Sequence, residues 1–279
     1  MFLSTLRIVM PYPSLLLGKP GDRTLVISDL HMGWEVQLSE QGIHIPSQMT
    51  RMLNRLLRIV ELTRPKSLVI LGDVKHTVSR VELEEWRDIP RFFEALTGKL
   101  SNIMVVPGNH DGNLEALTPV NVEICSSSGI VVDGVGLLHG HAWPSPSLLE
   151  CESLVMGHVH PTLFLKDSLG YGFAKQVWVR AGFDVEGMMR SYLKYAGIEW
   201  KGGDATSVFR ERFGVNPKTR RIVVMPSFND LMGGKPLNRA GLTRGEYLGP
   251  LMKFMDLDEA DVHLLDGSYM GRLKLLRLA

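Results

Sequence analysis

Seven of the nine histidines in this 279-residue chain fall in five short motifs that also carry carboxylates and an asparagine: Asp29-Leu30-His31, Gly72-Asp73-Val74-Lys75-His76, Gly108-Asn109-His110-Asp111, His139-Gly140-His141 and Gly157-His158-Val159-His160. Oxygen and imidazole donors without a thiolate suit manganese, iron or zinc. A pair of such ions is the usual apparatus for in-line phosphoester cleavage, so the set reads as a two-metal hydrolase site. Taken singly, each motif has a plainer explanation. Asp-x-His puts two side chains on one face of an extended segment, but a turn Asp beside a surface His would look the same. Gly72-Asp73 follows an apolar run, where an ionised Asp needs a compensating partner, unless it caps the next turn. Gly108 is a permissive residue ahead of three polar, metal-competent or acid-base groups. The four imidazoles of residues 139–160, in two i, i+2 pairs after extended runs, are the hardest to explain as core histidines. Independent turn explanations would have to coincide five times.

Each motif needs an element to hold it. Residues 24–28 form a β-rich run leading into Asp29, 67–71 a second leading into Gly72-Asp73, and 102–106 a third leading into Asn109 and His110. Between them, apolar residues at three- and four-residue spacing predict a helix over 46–63 that Pro65 stops, and another over about 81–96. Strand–helix alternation of this kind belongs to a parallel α/β sheet, whose ligands gather beyond the carboxyl ends of the strands. After residue 120 the runs shorten. Strands over 130–133 and 134–138 meet at Asp133-Gly134, a tight-hairpin dipeptide, and the second delivers His139. A strand over 153–156 delivers His158 and His160; 163–166 and 176–180 flank a Gly-rich turn, 221–225 adds a strand, and Pro226–Asp230 follows as a loop. The fold class expected is α/β (α+β), with two facing sheets, the second largely antiparallel, and helices outside.

An apolar fraction of 44% and a charged fraction of 22% describe an ordinary globular chain rather than a disordered one. The formal charge of +1 gives no global pull on a polyanion, so nucleic-acid binding would need a local basic surface. One segment offers it. Between residues 188 and 221, Arg190, Lys194, Lys201, Arg210, Arg212, Lys218, Arg220 and Arg221 mix with Tyr192, Tyr195, Trp200 and Phe213, either a strand-tracking surface or a charged helical face. The chain is expected to be a single domain over 1–279 with this basic insertion. Two cysteines outside any CxxC pair indicate no disulfide framework, and no run is long and apolar enough for a leader or membrane span, so a cytoplasmic location is expected.

The motif order D-x-H, G-D-x-x, G-N-H-D, H-G-H, G-H-x-H over residues 29–160 resembles the calcineurin-like metallophosphoesterase superfamily. Residues 28–35 and Gly72-Asp73-Val74-Lys75-His76 resemble its ICC-like, SbcD-related branch, and the likeness weakens beyond about residue 165. The resemblance implies a double β-sandwich flanked by helices, a four-layer α/β/β/α arrangement. It implies one metal held by Asp29, His31, Asp73 and His160 and a second by Asp73, Asn109, His139 and His158, with a shared water as the attacking hydroxide. Manganese is the first choice of ion, with iron, zinc, nickel or cobalt compatible. His110 becomes the proton donor or phosphate stabiliser, with Asp111 orienting it. His76 departs from the commoner pattern; Lys75-His76 could bind a phosphate, and His141 could contact substrate. The function expected is phosphodiester hydrolysis on nucleic acid or nucleotides. A small-molecule phosphomonoesterase or cyclic-nucleotide phosphodiesterase is the alternative, and a non-catalytic nucleic-acid-binding subunit a second one. Expected partners are the phosphoester substrate, DNA or nucleotide included, and a second copy of the chain; no membrane is expected.

Overall fold

The computed structural model describes residues 6–199, 202–239 and 249–278. Two mixed sheets lie face to face. In the first, β1 (Arg7–Ile8), β2 (Leu15–Lys19) and β3 (Asp22–Ser28) run antiparallel, and β4 (Ser67–Leu71), β5 (Asn102–Val106) and β6 (Val122–Ile124) continue in parallel from β3, in the order β1-β2-β3-β4-β5-β6. The crossovers carry α1 (Trp34–Glu40), α2 (Met49–Thr63) and α3 (Leu83–Thr97). The sequence reading missed β1 and β2, since Pro11 and Pro13 break that apolar stretch. α2 buries the stripe Met52, Leu56, Ile59 and Val60 and ends where Arg64 turns left-handed before Pro65.

The second sheet has β7 (Ile130–Val132), β8 (Val135–Leu138), β9 (Ser153–Met156), β10 (Thr162–Lys166), β11 (Gly172–Phe183), β12 (Arg221–Val224), β13 (Met255–Leu264) and β14 (Tyr269–Arg272), in the order β14-β13-β11-β12-β9-β8-β7 with β10 paired to β11. The β7–β8 hairpin turns at Asp133-Gly134, both at positive φ, as that dipeptide predicts. Most pairings are antiparallel, but β9 runs parallel to both neighbours, β8 and β12. The ends of β8 and β9 therefore emerge on one edge, and with them both histidine pairs.

Side-chain alternation builds the layers. Val26, Val69 and Leu71 of the first sheet meet Leu137, Val155 and Val223 of the second in the central core. Their sequence neighbours Leu25, Ile27, Leu68 and Ile70 face α2 and α3 instead. Leu138, Leu154 and Met156 face the opposite way, towards α4 (Val185–Tyr195) and α5 (Ala205–Phe213). Each such buried side chain contributes about 1.5–3 kcal/mol, enough to fix register, because a slip of one residue would swap the two faces. The result is an α/β/β/α sandwich. The 188–221 segment supplies much of its outer helical layer: Phe209 is buried, and Tyr192 packs edge-on to Trp143, Phe209 and Phe213. Tyr192 and Phe213 are thus occupied in packing, while Tyr195 stacks on Trp143 and stays exposed; Trp200 and Lys201 lie outside the described residues. Cys125 and Cys151 are free thiols. Among the described residues no helix is long and apolar enough to cross a membrane.

Candidate metal centre

All five motifs converge on one edge of the sandwich. Asp29 and His31 follow β3, Asp73 follows β4, Asn109 and His110 follow β5, His139 and His141 follow β8, and His158 and His160 follow β9. Asp73 is central: its Oδ2 lies 3.4 Å from His31 Nε2 and 3.3 Å from His139 Nε2. On one side, His31 Nε2 stands 3.2 Å from His160 Nε2, which is 3.2 Å from Asp29 Oδ1. On the other, His139 Nε2 stands 3.1 Å from His158 Nδ1 and 3.3 Å from Asn109 Oδ1. Asp29, His31 and His160, and separately Asp73, His139 and His158, each bring three donor atoms within 4.8 Å of one another, and each group could hold a metal ion.

The donor chemistry fits a cation. His139 donates its Nδ1–H to the Leu71 carbonyl at 2.8 Å, so its neutral ring presents a bare lone pair at Nε2. That lone pair meets those of Asp73, His158 and Asn109. Lone pairs gathered in this way need a proton or a metal between them. Without a metal, His139 keeps the proton: burial works against its charge, but the Asp73 hydrogen bond and the Asp29 and Asp73 carboxylates outweigh it and raise its pKa to about 9. Burial would push Asp29 and Asp73 up; the facing histidines bring both below the usual carboxylate value. Burial dominates at His31 and His158, whose pKa values fall to about 3 and about 4.

These shifts set a pH dependence. The His139 proton stabilises the metal-free fold fully below about 6.5, and this contribution is lost as pH rises through about 9. A metal ion held through His139 Nε2 would need the neutral ring, so uptake of a divalent ion near neutral pH is expected to release about one proton or more and to tighten as pH rises towards 9. Calorimetry in buffers of different ionisation enthalpy reads that release; a value of zero contradicts it.

The backbone pays a strain to aim these groups. Among the described residues, Asp29, His31, Asp73, His158 and His160 make up five of the eight non-glycine residues at positive φ. The left-handed region costs an L-residue about 1–2 kcal/mol, and such strain concentrates where function requires it. At His160, φ +46°, glycine should therefore be more stable than alanine by about 1 kcal/mol, the reverse of the usual order, in denaturant unfolding of His160→Gly against His160→Ala. Close approach also fixes Gly108. A Cβ there would lie 2.1 Å from Asp73 Oδ1 and 2.5 Å from its backbone nitrogen. Gly108→Ala is expected to displace Asp73 and lower the metal content of the reloaded, folded protein below that of the wild type, read by metal analysis.

His110 donates its backbone N–H to Asp73 Oδ1 at 2.9 Å and its ring Nδ1–H to the His76 carbonyl, and its Nε2 has no hydrogen-bond partner among the described residues. Asp111 does not orient that ring. Its carboxylate, 5% exposed, accepts from the backbone amides of Val74, Lys75 and Gly108, tying the β4 and β5 loops together. Burial and nearby Asp73 raise its pKa to about 6. Lys75 is likewise misplaced as a phosphate ligand: it is fully buried, with Nζ donating to the Thr77 carbonyl. His76 is half-buried beside His31, and its pKa falls to about 4, chiefly through burial and then His110. His141 lies next to the second group, 5.3 Å between ring centres from His139, with a buried Nδ1 that has no partner among the described residues.

Three supporting residues escaped sequence reading. Ser227 and Asn229, in the loop after β12, bond the Asp29 and Leu30 carbonyls at 2.8 and 3.1 Å. Buried Glu85 on α3 accepts from the amides of His76, Thr77 and Glu82, pinning the β4 loop. The loop's position after a strand was the only signal for the first two; Glu85 reads as an ordinary capping-box residue, which it also is.

A model of the calcineurin-like phosphoesterase family matches residues 22–186, more than half of the chain, and the chain belongs to that family. It is a metal-dependent phosphoester hydrolase. Among solved structures, a nuclease MPE from Pseudomonas putida is similar in fold: TM-score 0.52, 16% identity, 92% of this chain and 91% of that one covered. YfcE, a phosphoesterase from E. coli, matches at TM-score 0.33 and 22% identity over 52% of this chain and 74% of its own. No curated protein matches.

Proposed function

We propose that the chain is a dinuclear phosphodiesterase acting on nucleic acid or nucleotides, with manganese as the preferred ion. Asp29, His31, Asp73 and His160 hold one cation; Asp73, Asn109, His139 and His158 hold the other. The single observation that carries this reading is the placement of Asp73 Oδ2 3.4 and 3.3 Å from one histidine of each group. When bound, such a pair supplies Lewis-acid activation of water and neutralises charge on the phosphoryl oxygens. The chain's own contribution is to fix donors and move a proton. His110, its Nδ1–H engaged by the His76 carbonyl, acts as general acid in its doubly protonated form, giving up the Nε2 proton to the departing oxygen and returning to the neutral Nδ1–H ring. His141 faces substrate beside the second group.

Diester is favoured over monoester by the lining of the adjoining cleft. This open space of about 420 Å³ runs from His110 past Gly33, Val36, Gln37, His76 and Val78 to Arg80. Arg80 is its sole Lys or Arg among the described residues and is paired to Glu82, while Glu40 and Glu82 add negative charge. Lys75, the other nearby cation, points to Thr77. A dianionic monoester would want free cations there; a monoanionic diester with a neutral leaving group does not. The fold is also one on which a nuclease, that of Pseudomonas putida, is built.

The test strips the metals, restores manganese, and compares an aryl phosphodiester, an aryl monoester, single-stranded DNA and duplex DNA. Faster turnover of the diester and cleavage of DNA are expected. Preference for the monoester would overturn the diester reading, and binding of DNA without turnover of any substrate would overturn the enzymatic one.

A further inference from the structure

We propose that His76 is a positioning residue which, anchored by Gln37, holds His31 in the one tautomer whose Nε2 lone pair faces Asp73 and His160. His76 Nδ1 lies 3.3 Å from His31 Nδ1, and His76 Nε2 lies 2.9 Å from Gln37 Oε1. An amide oxygen only accepts, so His76 Nε2 carries the proton and its Nδ1 is an acceptor. His31 Nδ1–H must then be the donor between the two rings. That leaves His31 Nε2 bare, 3.4 Å from Asp73 Oδ2 and 3.2 Å from His160 Nε2. The reverse orientation of the Gln37 amide would run every proton the other way and put an N–H of His31 where the lone pair is needed.

The backbone keeps His76 in place for this. Its N–H is shared by the Met32 carbonyl at 2.9 Å and Glu85 Oε1 at 3.1 Å, and its carbonyl accepts from the His110 ring. One residue thereby sets the tautomer of two others, His31 through its side chain and His110 through its carbonyl. A ligand imidazole whose second nitrogen is tied in this way binds its metal more tightly, and loss of the outer partner typically costs about 10- to 100-fold in affinity.

The inference rests on the dinuclear reading only for the identity of His31 as a ligand; the tautomer is a property of the metal-free protein. The first readout is therefore nitrogen-15 NMR of the histidine rings without metal. His31 is expected as the Nδ1–H tautomer and His76 as the Nε2–H tautomer; Gln37→Leu, at an exposed site that leaves the core intact, is expected to mix both. The second readout is manganese affinity by titration. His76→Ala is expected to weaken one of two ions about 10- to 100-fold, and His76→Asn, whose side-chain oxygen can accept from His31, to restore most of it. An Nε2–H tautomer at His31 would overturn the proposal. So would a His76→Ala variant with unchanged tautomer and metal affinity but raised KM, the signature of a phosphate contact. Failure of the wild type to bind two ions while the tautomers stand as stated would sink the dinuclear reading and leave the positioning role supported.

Discussion

Asp73→Asn is expected to fold normally and to lose at least about a thousandfold in kcat, the equivalent of about 4 kcal/mol of transition-state stabilisation. The change is nearly isosteric, so the sheet edge has no steric reason to move. It removes the negative charge that lies between His31 and His139 and can put an N–H donor where two lone-pair clusters meet. Both groups lose the carboxylate charge that faces them at once, so the loss should exceed that of removing Asn109, which touches only the His139 side. The same variant should abolish the raised His139 pKa, because the Asp73 hydrogen bond is the largest effect holding that proton. Steady-state turnover with manganese, together with NMR titration of His139 in the metal-free variant, checks both halves. Retention of more than about a tenth of wild-type kcat would mean that position 73 is not shared.

His110→Gln carries the second large effect. General-acid catalysis is worth about 10²–10⁴-fold, and that benefit depends on how badly the leaving group needs a proton. A strongly acidic aryl leaving group departs unaided; a sugar hydroxyl does not. Loss of His110 should therefore cost little with a nitroaryl diester and about a hundredfold or more with DNA or an alkyl diester. A uniform loss across leaving groups would instead assign His110 to phosphate stabilisation. Geometry supports the proton role: the ring is fixed through Nδ1 by the His76 carbonyl, sits 4.9 Å between centres from the His31 ring, and lines the cleft.

Much of this site was legible in the residues because strand periodicity and motif position coincide. Three parallel strands ending at Asp29, Asp73 and Asn109 follow from apolar runs bounded by helices, and their carboxyl ends must share an edge. The second sheet was read as largely antiparallel, and most of it is. The parallel β8–β9–β12 portion that aligns His139 with His158 needed long-range pairing that no local pattern encodes. β1 and β2 were hidden by prolines. The left-handed backbone of five site residues was also invisible, since Asp and His tolerate that region only when the surrounding structure imposes it. Asp111 and Lys75 were misjudged for a related reason: both read as functional by their neighbours, yet one is spent on three backbone amides and the other is turned inward on Thr77. Ser227 and Asn229, nearly two hundred residues from the Asp29 segment they buttress, could be found only in three dimensions.

Anomalous diffraction from crystals grown with manganese addresses the shared carboxylate most directly. Two peaks roughly 3.5–4 Å apart, on either side of Asp73 and each reached by one of its neighbouring histidine groups, are the expected result. A single peak, or a pair of which only one touches Asp73, would contradict it.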